Sequence, residues 1–167
     1  MRDCRRRVRS AKIKNLSQLK KICARLKKQG RVVVFTNGCF DILHLGHVKY
    51  LEDAGRYGDI LVVAVNSDAS VSKIKGSARP IVNQYDRIRI IAGLESVDYA
   101  VLFNASTPLD LIRLLRPDIL IKGADWKKEN IVGAGLVKSY GGRVLTVKLL
   151  PDRSTTKLIE RIAKIHH

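Results

Sequence analysis

Residues 32–47 read VVVFTNGCFDILHLGH, a strand-like run that leads into a turn of small and polar residues. Residues 32–36 are apolar at consecutive positions, which is typical of a strand covered on both faces of a parallel sheet. Asn37 and Gly38 tolerate unusual backbone angles, and we expect a helix after the turn. This unit predicts an α/β fold whose ligands bind beyond the carboxyl ends of its strands.

The rest of the chain repeats this alternation. Short apolar runs at residues 60–65, 99–103, 118–123 and 143–150 predict four more strands. Helical spacing predicts one helix from about Leu16 to Gly30, another from near Glu129 to Ser139, and a last one from about Thr155. We therefore predict a Rossmann-like, doubly wound α/β sheet of about five parallel strands, forming a single domain over residues 15–167.

The net charge of +17 on 167 residues is concentrated at the front of the chain. Residues 1–28 hold twelve basic side chains and one acidic side chain, a net +11. We expect residues 1–14 to be a basic, disordered, solvated arm rather than a specific nucleic-acid site; an organelle transit peptide is a weaker alternative. The aromatic content of 5% leaves few rings on which single-stranded bases could stack.

The composition also bounds the class of protein. No apolar run approaches the length of a membrane span, and the first residues lack a secretory signal, so we predict a soluble, cytoplasmic protein without a membrane partner. Cys4, Cys23 and Cys39 are widely spaced, which favours reduced thiols over a disulfide framework or a zinc site.

His44 and His47 are the candidate chemical groups of the first turn. They lie three residues apart at a predicted helix start, so their rings can point the same way, and Gly46 between them lets a ligand approach. Phosphate binding suits this helix end, while a helix cap and a zinc site are the alternatives; Cys39 alone is a poor third ligand. The chain has neither a G-x-G-x-x-G nor a Walker phosphate motif.

Residues 38–47, GCFDILHLGH, resemble the G-x-F-D-x-x-H-x-G-H signature of the cytidylyltransferase-like nucleotidyltransferases. Residues 153–159, RSTTKLI, are similar to that family's second signature, at the start of the last helix. More narrowly, residues 30–165 resemble the family's heptose 1-phosphate adenylyltransferases, through stretches such as AVNSDASVSKIKGSARP and DILIKGADW.

The resemblance implies transfer of AMP from ATP, with Mg²⁺, to D-glycero-β-D-manno-heptose 1-phosphate, releasing pyrophosphate. His44, His47 and Arg87 would be catalytic. Phe40 is expected to pack beneath the loop rather than to stack on a base. The implied nucleotide-binding residues are Thr36, Asn37, Gly38, Phe40, Asp41, Gly123, Asp125, Ser154, Thr155 and Thr156.

For the sugar phosphate, we expect Asp68 to accept sugar hydroxyls while Lys75 and Arg79 clamp the phosphate. The alternatives without a ligand-binding role are a helix cap for Ser154 and an ordinary surface loop for residues 66–80. We expect no dedicated metal site in the protein, because no carboxylate cage is visible and phosphates and water can hold the ion. A homodimer is implied by the resemblance alone.

Two other functions stay open. A glycerol-3-phosphate or other alcohol-phosphate cytidylyltransferase has similar motifs, but its second signature usually includes a Thr-Glu-Gly-Ile insert that this chain lacks. A basic nucleic-acid-binding protein on an α/β scaffold is the remoter alternative, and it predicts that affinity resides in residues 1–28.

Overall fold

The computed structural model of the protein describes residues 11–151 and 153–165. Within them, five strands form one sheet. The strands are Val33–Gly38 (β1), Ile60–Asn66 (β2), Tyr99–Phe103 (β3), Ile119–Gly123 (β4) and Arg143–Val147 (β5). The α-helices are Leu16–Lys28 (α1), Leu45–Gly55 (α2), Asp68–Lys75 (α3), Gln84–Ala92 (α4), Leu109–Leu115 (α5), Ala134–Ser139 (α6) and Thr155–Ile165 (α7).

The sheet is entirely parallel, with strand order β3-β2-β1-β4-β5. The chain first winds outward from β1 through β2 to β3, then returns to add β4 and β5 on the other side of β1. The prediction of a five-stranded, doubly wound α/β domain is confirmed. This order places the topological switch point between β1 and β4, where a crevice for ligands opens at the carboxyl ends of the strands.

Both faces of the sheet are covered, which explains why the strands are apolar at consecutive positions. On one face, buried residues of α1, α5 and α6 pack on the sheet, among them Leu19 and Ile112. On the other face, α2 and α4 contribute buried residues such as Leu51 and Ile91. The sheet core therefore fixes the carboxyl ends of β1 and β4 from both sides.

The predicted helix beginning near Glu129 starts later in the structure. Residues Lys128–Asn130 form a single 3₁₀ turn, and α6 begins only at Ala134. Gly133 has φ +87°, a left-handed conformation that interrupts a continuous right-handed helix. The predicted single helix is therefore two elements, a 3₁₀ turn and α6.

The predicted arm, residues 1–14, lies mostly outside the described residues, but its end does not match the expectation of disorder. Ile13 forms a parallel bridge with Ala100 of the edge strand β3, and backbone hydrogen bonds join Lys12 and Lys14 to the same residue. The Lys12 ammonium also donates to the Leu94 carbonyl at 2.9 Å. Residues 12–14 are thus part of the folded domain.

No helix among the described residues is long and apolar enough to cross a membrane.

Candidate active site

The turn after β1 brings the two predicted histidines into contact. His44 immediately precedes α2 and His47 lies in its first turn. Their rings stack, with centroids 3.8 Å apart and planes inclined by 23°. The buried Phe40 ring meets His47 edge-on at a centroid distance of 5.4 Å, so Phe40 supports the turn from below, as expected.

Gly46 lies in close contact with its neighbours, so a side chain there would displace one of them. A Cβ at this position would lie 2.9 Å from the His44 ring and 3.1 Å from the Cβ of Arg153. Gly46 therefore lets the start of α2 approach the segment that leads into α7. Two helix starts consequently face one cleft, and the free N–H groups of helix starts favour anions.

Three buried polar atoms of this turn have no hydrogen-bond partner among the described residues. They are Asn37 Oδ1, His44 Nδ1 and His47 Nδ1. Buried polar atoms are nearly always paired in folded proteins, so three unpaired ones in a single turn indicate a site that binds a polar ligand. All three belong to residues selected from the sequence.

The histidines are neutral in the folded protein at neutral pH. Burial, together with the adjacent His44, lowers the pKa of His47 to about 4. Burial also lowers the pKa of His44, and the positive charge of Arg153 adds to the effect. A phosphate in the cleft would oppose these effects, because its negative charge favours protonated imidazole.

The depressed pKa of His47 predicts an acid-sensitive fold. The usual pKa of histidine is about 6.5, and that of His47 in the folded protein is about 4. Between these pH values, His47 is protonated in the unfolded chain but neutral in the folded protein. The free energy of unfolding should therefore fall as the pH drops through this window. Urea unfolding at pH 7 and pH 5 should show a smaller decrease for His47→Ala than for the parent, and equal decreases would contradict this assignment.

The start of α7 adjoins the same turn. Ser154 Oγ accepts a hydrogen bond from the Lys157 amide at 3.2 Å, which is the cap geometry. Thr155 Oγ1 lies 3.5 Å from the Ile42 carbonyl, which links α7 to the first turn. Thr156 is exposed in the first turn of α7. The structure thus places the start of α7 next to the first turn through Thr155, with Ser154 and Thr156 on either side of it in the chain.

Asp41 connects the first turn to the segment before α4. Its buried carboxylate accepts hydrogen bonds from Arg79 Nε at 2.6 Å and from the amides of Ile81 and Val82. Burial raises the pKa of Asp41, but the two amides and the Arg79 guanidinium outweigh burial and lower it overall. The Asp41 carboxylate and Arg79 Nε therefore hold the two loops together.

Replacing Asp41 with alanine should destabilise the protein strongly. The change leaves the Arg79 charge and two amides without their acceptor, and breaking a buried ion pair costs about 3–5 kcal/mol. Asp110→Ala is the matched control, because Asp110 pairs with Arg113 while 83% of its side chain is exposed, and such surface pairs contribute about 0–1 kcal/mol. Urea unfolding measures both, and similar losses would refute the role given to Asp41.

Arg87 differs from its predicted role. Its side chain is fully buried and donates to the Val82 carbonyl at 2.9 Å, to the Cys39 carbonyl and to Asp68 Oδ1 at 2.7 Å. All three guanidinium nitrogens are engaged within the protein. Arg87 thus joins the loops that follow β1 and β2 instead of extending toward a triphosphate, and the geometry makes it a positioning residue.

The remaining predicted residues lie around the same end of the sheet. Thr36 is buried, with its hydroxyl 2.7 Å from the Tyr50 hydroxyl, so its side chain is structural. Gly38 leaves room for the Phe40 ring, and Gly123 leaves room for the Asp125 carboxylate. Asp125 and Lys75 are exposed.

Within residues 11–151 and 153–165, no group of three or more His, Cys, Asp or Glu side chains is placed to hold a metal ion.

The comparison with protein families covers the whole of this site. A family model described as cytidylyltransferase-like matches residues 35–161, which include the histidine turn and the start of α7. The chain belongs to the cytidylyltransferase-like family. The matched residues include the signature at residues 38–47 that was chosen from the sequence.

Curated relatives are identical to this family member at about half of the aligned positions. The protein named "Bifunctional protein HldE" of Geobacter sulfurreducens is 52% identical over 156 residues, which are 93% of this chain and 32% of the relative. The protein of the same name from Magnetococcus marinus is 53% identical over 92% of this chain and 32% of its own length. The chain spans about a third of the length of the curated relatives it matches.

Solved structures agree on the fold. A lipopolysaccharide core biosynthesis protein from Thermoplasma volcanium has a TM-score of 0.60 and 33% identity, over 72% of this chain and 98% of its own. A pantoate-beta-alanine ligase from Francisella tularensis, complexed with beta-gamma ATP and beta-alanine, has a TM-score of 0.60 over 92% of this chain and 77% of its own. Its 17% identity supports the fold alone.

Two further cations lie close to the first turn. Arg153 approaches Gly46 and acts electrostatically on His44. Lys122 in β4 donates to the Asn37 carbonyl at 3.0 Å. In the sequence, Lys122 opens the stretch KGADW (residues 122–126), which resembles the family's nucleotide loop.

Proposed function

We propose that the protein transfers AMP from MgATP to a heptose 1-phosphate, D-glycero-β-D-manno-heptose 1-phosphate, and releases pyrophosphate. The observation that carries the proposal is the stacked pair of His44 and His47 at the start of α2, facing the start of α7. An acceptor phosphate oxygen forms a bond to the α-phosphorus, and the bond from that phosphorus to the bridging oxygen of pyrophosphate breaks. The acceptor is already ionised at neutral pH, so the enzyme need not remove a proton.

His44 and His47 stabilise the leaving pyrophosphate. Neutral imidazole donates one hydrogen bond, and the negative charge that develops on the bridging oxygen favours protonation of the ring. The hydroxyls and amides of residues 154–156 bind the β- and γ-phosphates at the start of α7. Mg²⁺ enters as part of the substrate MgATP and is held by phosphates and water.

The other nucleotide contacts follow from the loops at the crevice. The backbone of residues 36–41 lies along the nucleotide, and Asp125 beside Gly123 contacts its ribose or base. Gly123 supports this role because its missing side chain makes space for the Asp125 carboxylate.

On the acceptor side, Asp68 and Lys75 bind the sugar phosphate. The Asp68 side chain is 40% exposed, and Arg87 engages only its Oδ1, so Oδ2 can accept a sugar hydroxyl. Lys75 ends α3 as an exposed cation beside the same opening. Arg79 contributes through its terminal nitrogens, because its Nε is bound to Asp41.

The heptose is supported by resemblance and by relatives. The sequence is similar to heptose 1-phosphate adenylyltransferases over nearly the whole domain, and a relative 33% identical is described as a lipopolysaccharide core biosynthesis protein. Relatives about half identical are named as bifunctional proteins, and this chain matches a third of their length. We therefore propose the nucleotidyl-transfer step for the matched region.

Pyrophosphate release tests the proposal directly. The protein is incubated with ATP or CTP and with heptose 1-phosphate or glycerol 3-phosphate, in all four pairs. Release should be fastest with ATP and heptose 1-phosphate, and mass spectrometry should identify ADP-heptose. Preference for CTP and glycerol 3-phosphate would assign the alternative cytidylyltransferase activity, and no release with any pair would refute nucleotidyl transfer to these acceptors.

A further inference from the structure

Lys122 places a positive charge at the floor of the crevice between β1 and β4. It is the residue before the last of β4, and its part-buried side chain crosses to β1, where the ammonium donates to the Asn37 carbonyl at 3.0 Å. The ammonium also lies 6.0 Å from the centre of the Trp126 ring. Lys122 therefore lies at the topological switch point, where α/β sheets bind their ligands.

The cations around the first turn form two groups. Arg153 acts on His44, at the side where α2 and α7 begin. Lys122, Lys75 and Arg87 act instead on Cys39: burial raises the pKa of that thiol, and these three charges partly oppose the increase. Arg87 is ion-paired with Asp68, whereas neither Lys122 nor Lys75 forms an ion pair among the described residues, although the charge of Asp125 also acts on Lys122.

Two cation groups suit an in-line displacement. The attacking and leaving oxygens lie on opposite sides of the α-phosphorus, so each charged partner needs its own neutralising group. If the leaving pyrophosphate lies against the histidines and α7, the other group faces the attacking phosphate.

We propose that the Lys122 ammonium binds the phosphate of the acceptor and holds it in line for attack on the α-phosphorus of ATP. This inference rests on the proposed function. The ammonium has three N–H donors, and the Asn37 carbonyl occupies one of them among the described contacts. The others are free to reach a phosphate oxygen, and no proton is transferred in the step.

Burying a lysine charge only to join β1 and β4 would destabilise the fold. Burial lowers the pKa of Lys122 to about 8, while Cys39 and Asp125 oppose the decrease, so the charged form is disfavoured at this position. An apolar side chain of similar length would bridge the strands without that cost. A part-buried cation at this ligand-binding edge therefore favours an anionic ligand.

The test compares the parent with Lys122→Met, Lys122→Arg and the control Lys127→Met. Lys127 is an exposed lysine of the loop that follows β4. Kinetics are measured with heptose 1-phosphate varied at saturating ATP, and ATP affinity is measured separately by calorimetry without acceptor. Lys122→Met should raise the KM for heptose 1-phosphate by about tenfold or more, the range expected for a lost charge-assisted hydrogen bond. The ATP Kd should change by less than about twofold, because nucleotide binding does not use this contact.

The conservative variant and the pH profile separate binding from structure. Lys122→Arg should recover most of the acceptor affinity because it keeps the charge. As the pH rises, the kcat/KM for heptose 1-phosphate should begin to fall at a lower pH in the parent than in Lys122→Arg. The lysine ammonium loses its proton at high pH, whereas the arginine guanidinium stays protonated. Lys127→Met should match the parent in every measurement.

Three outcomes would overturn the inference. If Lys122→Met leaves the acceptor KM unchanged while the parent is active, Lys122 does not bind the acceptor phosphate, and the proposed function still stands. If the affinity for ATP falls while the acceptor KM is unchanged, Lys122 contacts the nucleotide rather than the acceptor. An inactive parent that still binds ATP would refute the proposed function, and this inference would fail with it.

Discussion

Replacing His47 with alanine is expected to lower kcat by about 10²–10³-fold, the loss typical of removing one donor that stabilises developing charge. The ring lies between Phe40 and His44, and its buried Nδ1 has no hydrogen-bond partner among the described residues, which a ligand could supply. The KM for ATP should change less than kcat, because stabilisation grows as the pyrophosphate leaves. Steady-state pyrophosphate release measures both constants.

Val48→Ala is the control for the His47 variant. Val48 is the next residue of α2 and is also half-buried, so it tests whether truncation of this helix alone lowers activity. We expect turnover within about twofold of the parent, because surface-side truncations usually have small effects. A His47→Ala protein that is folded and as active as the parent would refute the catalytic role of the histidine pair.

Replacing Gly46 with alanine is expected to lower turnover by about 10²-fold without unfolding the protein, the scale of a displacement of about 1 Å in a catalytic group. The added methyl group would meet the His44 ring at 2.9 Å and the Arg153 Cβ at 3.1 Å. One of these groups must move, and both line the cleft. Alanine is otherwise a better helix residue than glycine, so thermal unfolding should not account for the loss.

The same helix offers a matched substitution for Gly46. Gly55 ends α2, and a Cβ there would meet its nearest neighbour, the Ser96 carbonyl, at an ordinary 3.5 Å. Gly55→Ala should retain parental turnover. If Gly46→Ala turns over substrate as fast as Gly55→Ala, the close approach at Gly46 has no catalytic consequence.

The fold was predictable because its signal is local. Each strand is an apolar run covered on both faces, and the apolar residues of α1 recur at helical spacing. The predicted disorder of residues 12–14 was wrong because pairing with Ala100 depends on tertiary position. The start of α6 was misjudged for a similar reason, since the left-handed conformation of Gly133, which precedes it, shows only in the backbone.

The site was predictable where one short segment carries the chemistry. His44, Gly46 and His47 are fixed by their spacing at one helix start. The roles of Asp41 and Arg87 depend on partners about 40 and 20 residues away, and sequence spacing cannot tell which charge is neutralised inside the protein. A free guanidinium and a buried, fully bonded one look identical in a sequence.

The bridge between Ile13 and Ala100 has a consequence for shortened versions of the protein. β3 is an outer strand of the sheet, and unpaired outer strands are templates for edge-to-edge aggregation. Residues 12–14 occupy part of that edge. A chain beginning at residue 11 keeps the edge covered, whereas one beginning at residue 15 exposes the amide and carbonyl of Ala100 to other molecules. The second would tend to self-associate while its histidine cleft, beside β1 and β4, stays intact.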